Sequence, residues 1–326
     1  MYLNYTGGSN MSLVGQINST LYCIDCHDLQ RKNRTGCYVI KGEKITLIET
    51  SASPSIPYIL QGLKELDISC DDVAQIIVTH IHLDHAGGAG LLLEHCRNAN
   101  IIVHPKGARH LEDPSRLIAG ARAVYGEDFD NLFDPIVPIP KDRLITMEHK
   151  EQLVLNDRIL TFYHSPGHAN HHFSIHDSLT NGIFTGDTAG VYYRELDDEN
   201  FSLILPSTSP SQFLPEAMLQ SLDMFEQLNP DYIYFGHYGS HNHPADVFAQ
   251  VRYWLPQFVQ SGKESMHTCT SMDEQIHRTY VSIKQKVTEY LSDKGLSAQH
   301  PIFEILDLDI QICSQGIVDY LTKAQK

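Results

Sequence analysis

Within the six residues His80-Ile81-His82-Leu83-Asp84-His85, four side chains can ligate a metal ion. Imidazole and carboxylate together suit zinc, and they suit iron or manganese as well. The apolar run Ile76-Ile77-Val78 precedes them and reads as a buried strand, and Ala86-Gly87-Gly88 is expected to open the following helix. The segment is then a strand-end turn whose alternation separates the donors: His80 and His82 can face one ion, Asp84 and His85 a second. Three further strand ends carry the same chemistry. His168 stands in Ser165-Pro166-Gly167-His168-Ala169, Asp187 closes Phe184-Thr185-Gly186-Asp187, and His237 closes Tyr232-Ile233-Tyr234-Phe235-Gly236-His237. Polar residues displayed on loops at strand ends are the usual way a rigid scaffold presents a site.

Two divalent ions about 3.5–4 Å apart can share one water and lower its pKa towards about 7. The bridging hydroxide attacks an electrophilic carbonyl or phosphorus, and a metal stabilises the oxyanion. No serine or cysteine nucleophile is needed. Asp84 is the expected catalytic residue, because it can ligate and can also hold or shuttle the nucleophile's proton. Thioesters, lactones, β-lactams and phosphoesters all remain open as substrates. Tyr192 and Tyr193 follow Asp187, and Tyr238 follows His237, so all three are candidate substrate contacts; the competing reading is packing with a wet hydroxyl. Arg109, Arg116, Arg122 and Arg194 are candidates for an anionic substrate, and no obvious Lys/Arg cluster accompanies them.

The H-x-H-x-D-H stretch, Pro166-Gly167-His168, Thr185-Gly186-Asp187 and Gly236-His237, in this order and spacing, resemble the metallo-β-lactamase-fold hydrolases. The resemblance spans roughly residues 18 to 245 and is greatest to the general hydrolase group, glyoxalase II-like or lactonase-like. It implies an αββα sandwich with two metals at one edge between the sheets. It implies His80, His82 and His168 as ligands of the first ion, Asp84, His85 and His237 as ligands of the second, and Asp187 as the bridge. Zinc is the first expectation for both ions, with iron or manganese as alternatives. A departure stands at Glu49-Thr50-Ser51, where the pattern usually has Asp-Thr-Gly; this strand end is expected to support Asp84 or shape the backbone. The rival is a non-haem di-iron oxygen- or NO-handling protein, whose relatives usually carry glutamate at the position of His82. A metal-binding sensor without turnover is a third reading.

The elements that must position these residues follow from periodicity. Residues 21–24, 37–40 and 44–49 read as strands, 56–66 as a helix, and 76–79 and 101–103 as strands around a helix at 88–96. Residues 105–140 are helical and loop-like, punctuated by prolines. The β pattern resumes at 153–164, 172–176 and 183–185, and a helix with proline at its start covers 215–228. The α/β domain is expected over 1–245, with a helical C-terminal extension over 246–326. The apolar stripe Trp254, Leu255, Phe258 and Val259 must bury itself against something. A cap over the cleft with some homodimer contact is the expectation.

A net charge of −16 with no basic run speaks against a nucleic-acid partner. Nothing approaches the roughly 20 apolar residues of a membrane span. The opening Met1-Tyr2-Leu3-Asn4-Tyr5-Thr6 has no leader character, and seven cysteines, an odd number, suggest reduced thiols in a cytoplasm. Cys23-Ile24-Asp25-Cys26-His27 matches a c-type haem attachment pattern or half of a zinc site with Cys37, against the alternative of small buried strand residues. Of His171 and His172, one is expected to orient a ligand.

Overall fold

The computed structural model describes residues 12–325 apart from 156 and 200; the Met1 to Thr6 segment lies outside the described residues. Seven strands build a first sheet in chain order: β1 (Val14–Gln16), β2 (Leu21–Asp25), β3 (Gly36–Ile40), β4 (Ile45–Ile48), β5 (Val73–Ile77), β6 (Asn100–Val103) and β7 (Leu144–Thr146). The first four are antiparallel and the rest parallel. Parallel neighbours need crossovers, and these carry α1 (Ile56–Glu65), α2 (Leu83–Ala86), α3 (Ala89–His95), α4 (Pro105–Glu112), α5 (Ser115–Tyr125) and α6 (Phe129–Phe133).

The chain then enters a second sheet with β8 (Gln152–Val154), β9 (Ile159–His164), β10 (Phe173–Asp177) and β11 (Gly182–Gly186). It leaves through the ribbon β12 (Val191–Tyr192) and β13 (Ile204–Leu205) and through α7 (Pro215–Leu228). It returns with β14 (Tyr232–Phe235) and β15 (Ser240–His241), which complete the order β15-β14-β11-β10-β9-β8. Three long helices follow: α8 (Pro244–Thr268), α9 (Met272–Asp293) and α10 (Ile302–Ala324).

Alternation along the strands sorts the side chains into layers. Leu21, Tyr38, Ile48 and Ile77 of the first sheet meet Phe162, Phe173, Ile175 and Phe184 of the second in one buried cluster between the sheets. Their neighbours Val39, Leu47 and Ile76 face outwards onto Ile59 and Leu63 of α1 and Leu92 of α3. Ile183, Ile233 and Phe235 face outwards from the second sheet onto α7 and the C-terminal helices. The result is the expected αββα sandwich. The Tyr38 hydroxyl lies 2.7 Å from Phe235 O and 2.6 Å from Gly239 O and so ties the sheets together.

The C-terminal helices do not stand apart. Trp254, Leu255, Phe258, Leu291, Ile310 and Ile317 share one continuous core with the second sheet. They therefore form much of that sheet's outer helical layer, as the apolar stripe on α8 requires. Among the described residues, no helix is long and apolar enough to cross a membrane.

The Cys23-x-x-Cys26-His27 pattern serves packing. Cys23 lies in the layer between the sheets, while Cys26 and Cys37 lie in the outer one. All three thiols are free and buried, and burial pushes each well above the usual range. His27 stacks on Tyr58 with ring centroids 4.6 Å apart. Strand alternation sends Cys23 to the face opposite Cys26 and Cys37, and among the described residues these thiols and His27 form no ligand cluster.

Candidate metal centre and cleft

One difference from expectation lies inside the six-residue stretch itself. The helix opens at Leu83 rather than after Ala86. His82 is the extended cap residue, and the N–H groups of His85 and Ala86 reach its carbonyl at 3.0 and 2.8 Å. Asp84 and His85 therefore project from a helical turn, while His80 and His82 project from extended chain. The change from strand to helix, not alternation in a loop, divides the four side chains.

The seven expected residues converge. Ligand atoms lie within 4.8 Å of one another in three groups: His80, His82 and His168; His80, His85 and Asp187; Asp84, His85 and His237. His82 Nδ1 is 3.1 Å from His80 Nε2 and 2.8 Å from His168 Nε2. Asp187 sits in the middle. Its Oδ1 is 3.0 Å from His85 Nε2, and its Oδ2 is 3.4 Å from His237 Nε2 and 3.7 Å from His168 Nε2. Asp84 Oδ2 is 3.7 Å from both His85 Nε2 and His237 Nε2.

Four of the five rings are held from behind, as imidazole ligands usually are. His168 Nδ1 donates to Ser207 O at 3.1 Å, and His237 Nδ1 donates to Arg34 O at 3.2 Å. His80 Nδ1 meets the Thr79 hydroxyl at 3.1 Å. His85 Nδ1 meets Glu49 Oε2 at 3.2 Å, while Glu49 Oε1 accepts from Thr79 N–H. The Glu49 strand end thus supports His85, not Asp84. Glu49 and Ser51 both have left-handed backbone (φ 70° and 56°), and this turn brings the longer carboxylate back over the sheet edge.

His172 is the orienting residue of its pair. Its Nε2 accepts from Asp187 N–H at 3.3 Å, and its Nδ1 meets Ser165 Oγ at 2.9 Å. Gly186 has φ 48°, and a Cβ there would collide with His172 and Thr79. Only glycine lets the backbone turn Asp187 into the cluster at that spot. Ser207, which no sequence signal singles out, donates from Oγ to Asp187 Oδ2 at 3.0 Å.

Electrostatics divides the imidazoles. Burial holds His80, His82 and His168 below the usual imidazole range. Burial also opposes charge on His85 and His237, but Asp187 and Asp84 together, joined by Glu49 at His85, outweigh it and hold both above that range. Asp187 is held well below the carboxylate range: burial opposes this, and His85, His237 and His168 overcome it. His85 Nε2 and Asp187 Oδ1 are buried and make no hydrogen bond among the described residues, although they are 3.0 Å apart. Two such atoms, with three converging groups of nitrogen and oxygen donors around them, fit divalent cations.

A cleft of about 510 Å³ opens over the cluster. Leu117, Ala121 and Val124 of α5 wall one side, and Ile312 and Cys313 of α10 wall the other. The loop between β13 and α7 contributes Pro206, Ser207 and residues 209–212. Of the C-terminal helices, α10 therefore reaches the mouth of the cleft. Of the three tyrosines, only Tyr193 lines it, donating to Asp309 Oδ2 at 3.0 Å. Tyr192 is turned to Asp197 and Phe235. Tyr238, with φ 45°, packs into the layer between the sheets. The missed phenol is Tyr125, at the end of α5. Burial and then Asp84 push it up, so it stays protonated. Arg116 lines the cleft, whereas Arg122 and Arg194 are bound to Asp130 and Asp197. Arg34 is the missed cation at the wall: its Nη2 donates to Asp309 Oδ1 at 3.0 Å, and its Nε lies 3.3 Å from Asp28.

A two-sheet sandwich with helical outer layers and a histidine–aspartate cluster at one edge defines a class. The sequence profile of the metallo-beta-lactamase superfamily matches residues 34–237, and the chain belongs to that superfamily. It is similar to the metallo-beta-lactamase fold-containing protein ST1585 of Sulfurisphaera tokodaii, 28% identical over 207 residues, which cover 62% of this chain and 72% of the relative. The crystal structure of ST1585 superposes with a TM-score of 0.60 at 24% identity, over 72% of this chain and 85% of that one. The family protein TTHA1429 of Thermus thermophilus gives 0.67 at 16% identity over 95% of both chains. That span takes in most of the C-terminal helices. The chemotaxis sensor ODP, solved as a peroxy di-iron species, gives 0.51 at 14% identity over 72% of this chain and 91% of that one.

Proposed function

We propose that the chain is a binuclear metal-dependent hydrolase of small-molecule ester, thioester or lactone bonds. The observation that carries this reading is the pair of buried, unbonded donors, His85 Nε2 and Asp187 Oδ1, inside seven converging ligand side chains. His80, His82 and His168 would hold one ion, Asp84, His85 and His237 the other, and Asp187 both. An all-imidazole first group favours zinc, with iron and manganese as alternatives. Two such ions, when bound, supply an acidified water and Lewis acidity at neutral pH.

The chain's own residues supply the rest. Asp84 is partly open to the cleft and is the one carboxylate of the set placed to take and return a proton. Tyr125 offers a protonated hydroxyl at the cleft wall, fit to donate to a developing oxyanion. The apolar flanks from α5 and α10 exclude water and would hold an acyl or ring portion.

Protein purified without added metal, then assayed for metal content, visible absorption and turnover of ester, thioester and lactone panels, tests the reading. Close to two colourless divalent ions per chain with turnover of one panel is expected. A folded sample that never exceeds one equivalent, or a metal-replete one inert on all three panels, overturns it. Iron with visible charge-transfer bands and no hydrolysis would instead place the chain with di-iron proteins such as ODP.

A further inference from the structure

Beside the cleft lies a second cavity of about 320 Å³, which shares His110, His171 and Gln212 with it. Lys106, Arg109 and Asn170 complete its polar lining, and among the described residues no carboxylate lines it. In a chain of net charge −16 this is a local reversal of sign. Among the described residues, Lys106 and Arg109 ion-pair with no carboxylate.

The polar groups are set as donors. Arg109 Nε donates to His110 Nε2 at 3.2 Å, so the His110 ring proton resides on Nδ1. Burial, then Arg109 and Arg116, push the His110 imidazolium below its usual range, as a positive surrounding would. The Gln212 side-chain oxygen is occupied by Asn170 N–H at 2.9 Å, which leaves its NH2 group to donate. His171 is only 6% exposed, its Nδ1 is buried without a hydrogen-bond partner among the described residues, and its ring lies 5.4 Å from that of His82. One wall of this cavity is therefore also a wall of the metal cluster.

We propose that this cavity is a subsite for an oxyanionic group of the substrate, a carboxylate or phosphate, held while the scissile bond lies over the His80–His237 cluster. The substrates are then esters, thioesters or lactones that carry a negative terminus close to the bond broken. Lys106 and Arg109 supply charge, Gln212 and His110 supply directed donors, and His171 fixes the distance to the metals. The assignment of the broken bond rests on the hydrolase reading; the binding of the anion does not.

The test uses the full chain, wild type and the pair Lys106→Ala with Arg109→Ala. Mono-p-nitrophenyl succinate is compared with p-nitrophenyl acetate, and succinate and inorganic phosphate are titrated calorimetrically. The ratio of kcat/KM for the succinate ester to that for the acetate should fall about tenfold, through KM, with succinate or phosphate binding weakened by a similar factor. Lys106→Glu should act in the same direction. An unchanged ratio, or affinity for both anions equal in wild type and variant, overturns the subsite. If wild type hydrolyses neither ester, the titration alone decides the subsite, and the ester, thioester and lactone panels decide the hydrolase reading.

Discussion

At the scale of single residues, Asp187 and Glu49 act on the cluster differently. Asp187 touches histidines of both ligand groups, so Asp187→Asn should lower metal content and turnover together. Retention of two ions with normal turnover would exclude a bridging role. Glu49 touches only His85 among the ligands. Glu49→Gln should keep the fold and weaken one ion about 10- to 100-fold, leaving the other in place, as measured by competition with a chelator. The proposed ligands are legible in the sequence because their types and order are restrictive. Their supports are less so. The Glu49 strand end is conspicuous, yet which side chain it meets depends on the left-handed turn at Glu49 and Ser51. Tyr238 reads as a cleft residue by its place after His237, and its positive φ turns it inwards.

At the scale of elements, α10 leans on the loop that carries Ser207. Gly316 packs against the Thr208 and Ser209 backbone so closely that any Cβ would collide with Thr208 O. Thr208 Oγ1 donates to Cys313 O at 2.9 Å. Ser207 in turn holds both His168 and Asp187. Gly316→Val should therefore destabilise the chain by about 1–3 kcal/mol or more through overpacking, and lower metal affinity with it. Denaturant unfolding and metal content read the two effects; a stable variant with full metal content would break the link. Strand and helix positions follow from alternation and helical periodicity. The early start of α2 does not, because Leu83-Asp84-His85 has no helical period of its own and depends on the extended cap at His82.

At the scale of the whole molecule, Arg34 and Asp309 join the first sheet's β2–β3 connection to the last helix. Both side chains are nearly buried, at 10% and 12% exposure. Asp309→Ala leaves the guanidinium with Asp28 alone and costs on the order of 3–5 kcal/mol. The exposed Arg122–Asp130 pair is worth under about 1 kcal/mol, so Asp130→Ala should be nearly silent in the same unfolding experiment. Equal effects would show the Arg34 link to be incidental. The sequence marks the C-terminal region as helical and apolar on one face. It cannot show that this face completes the second sheet's outer layer, because contacts between residues so distant along the chain leave no local pattern.

The seating of α10 also sets an order of events during synthesis. His237, last of the seven proposed ligands, is made well before Gly316. At roughly 5–20 residues per second, several seconds pass between them on the ribosome. During that interval all seven side chains exist, but the loop that steadies His168 and Asp187 lacks its contact with α10. Metal capture is then expected to follow the docking of the last helix, and a chain ending before Ile302 should hold metal more weakly than the full chain.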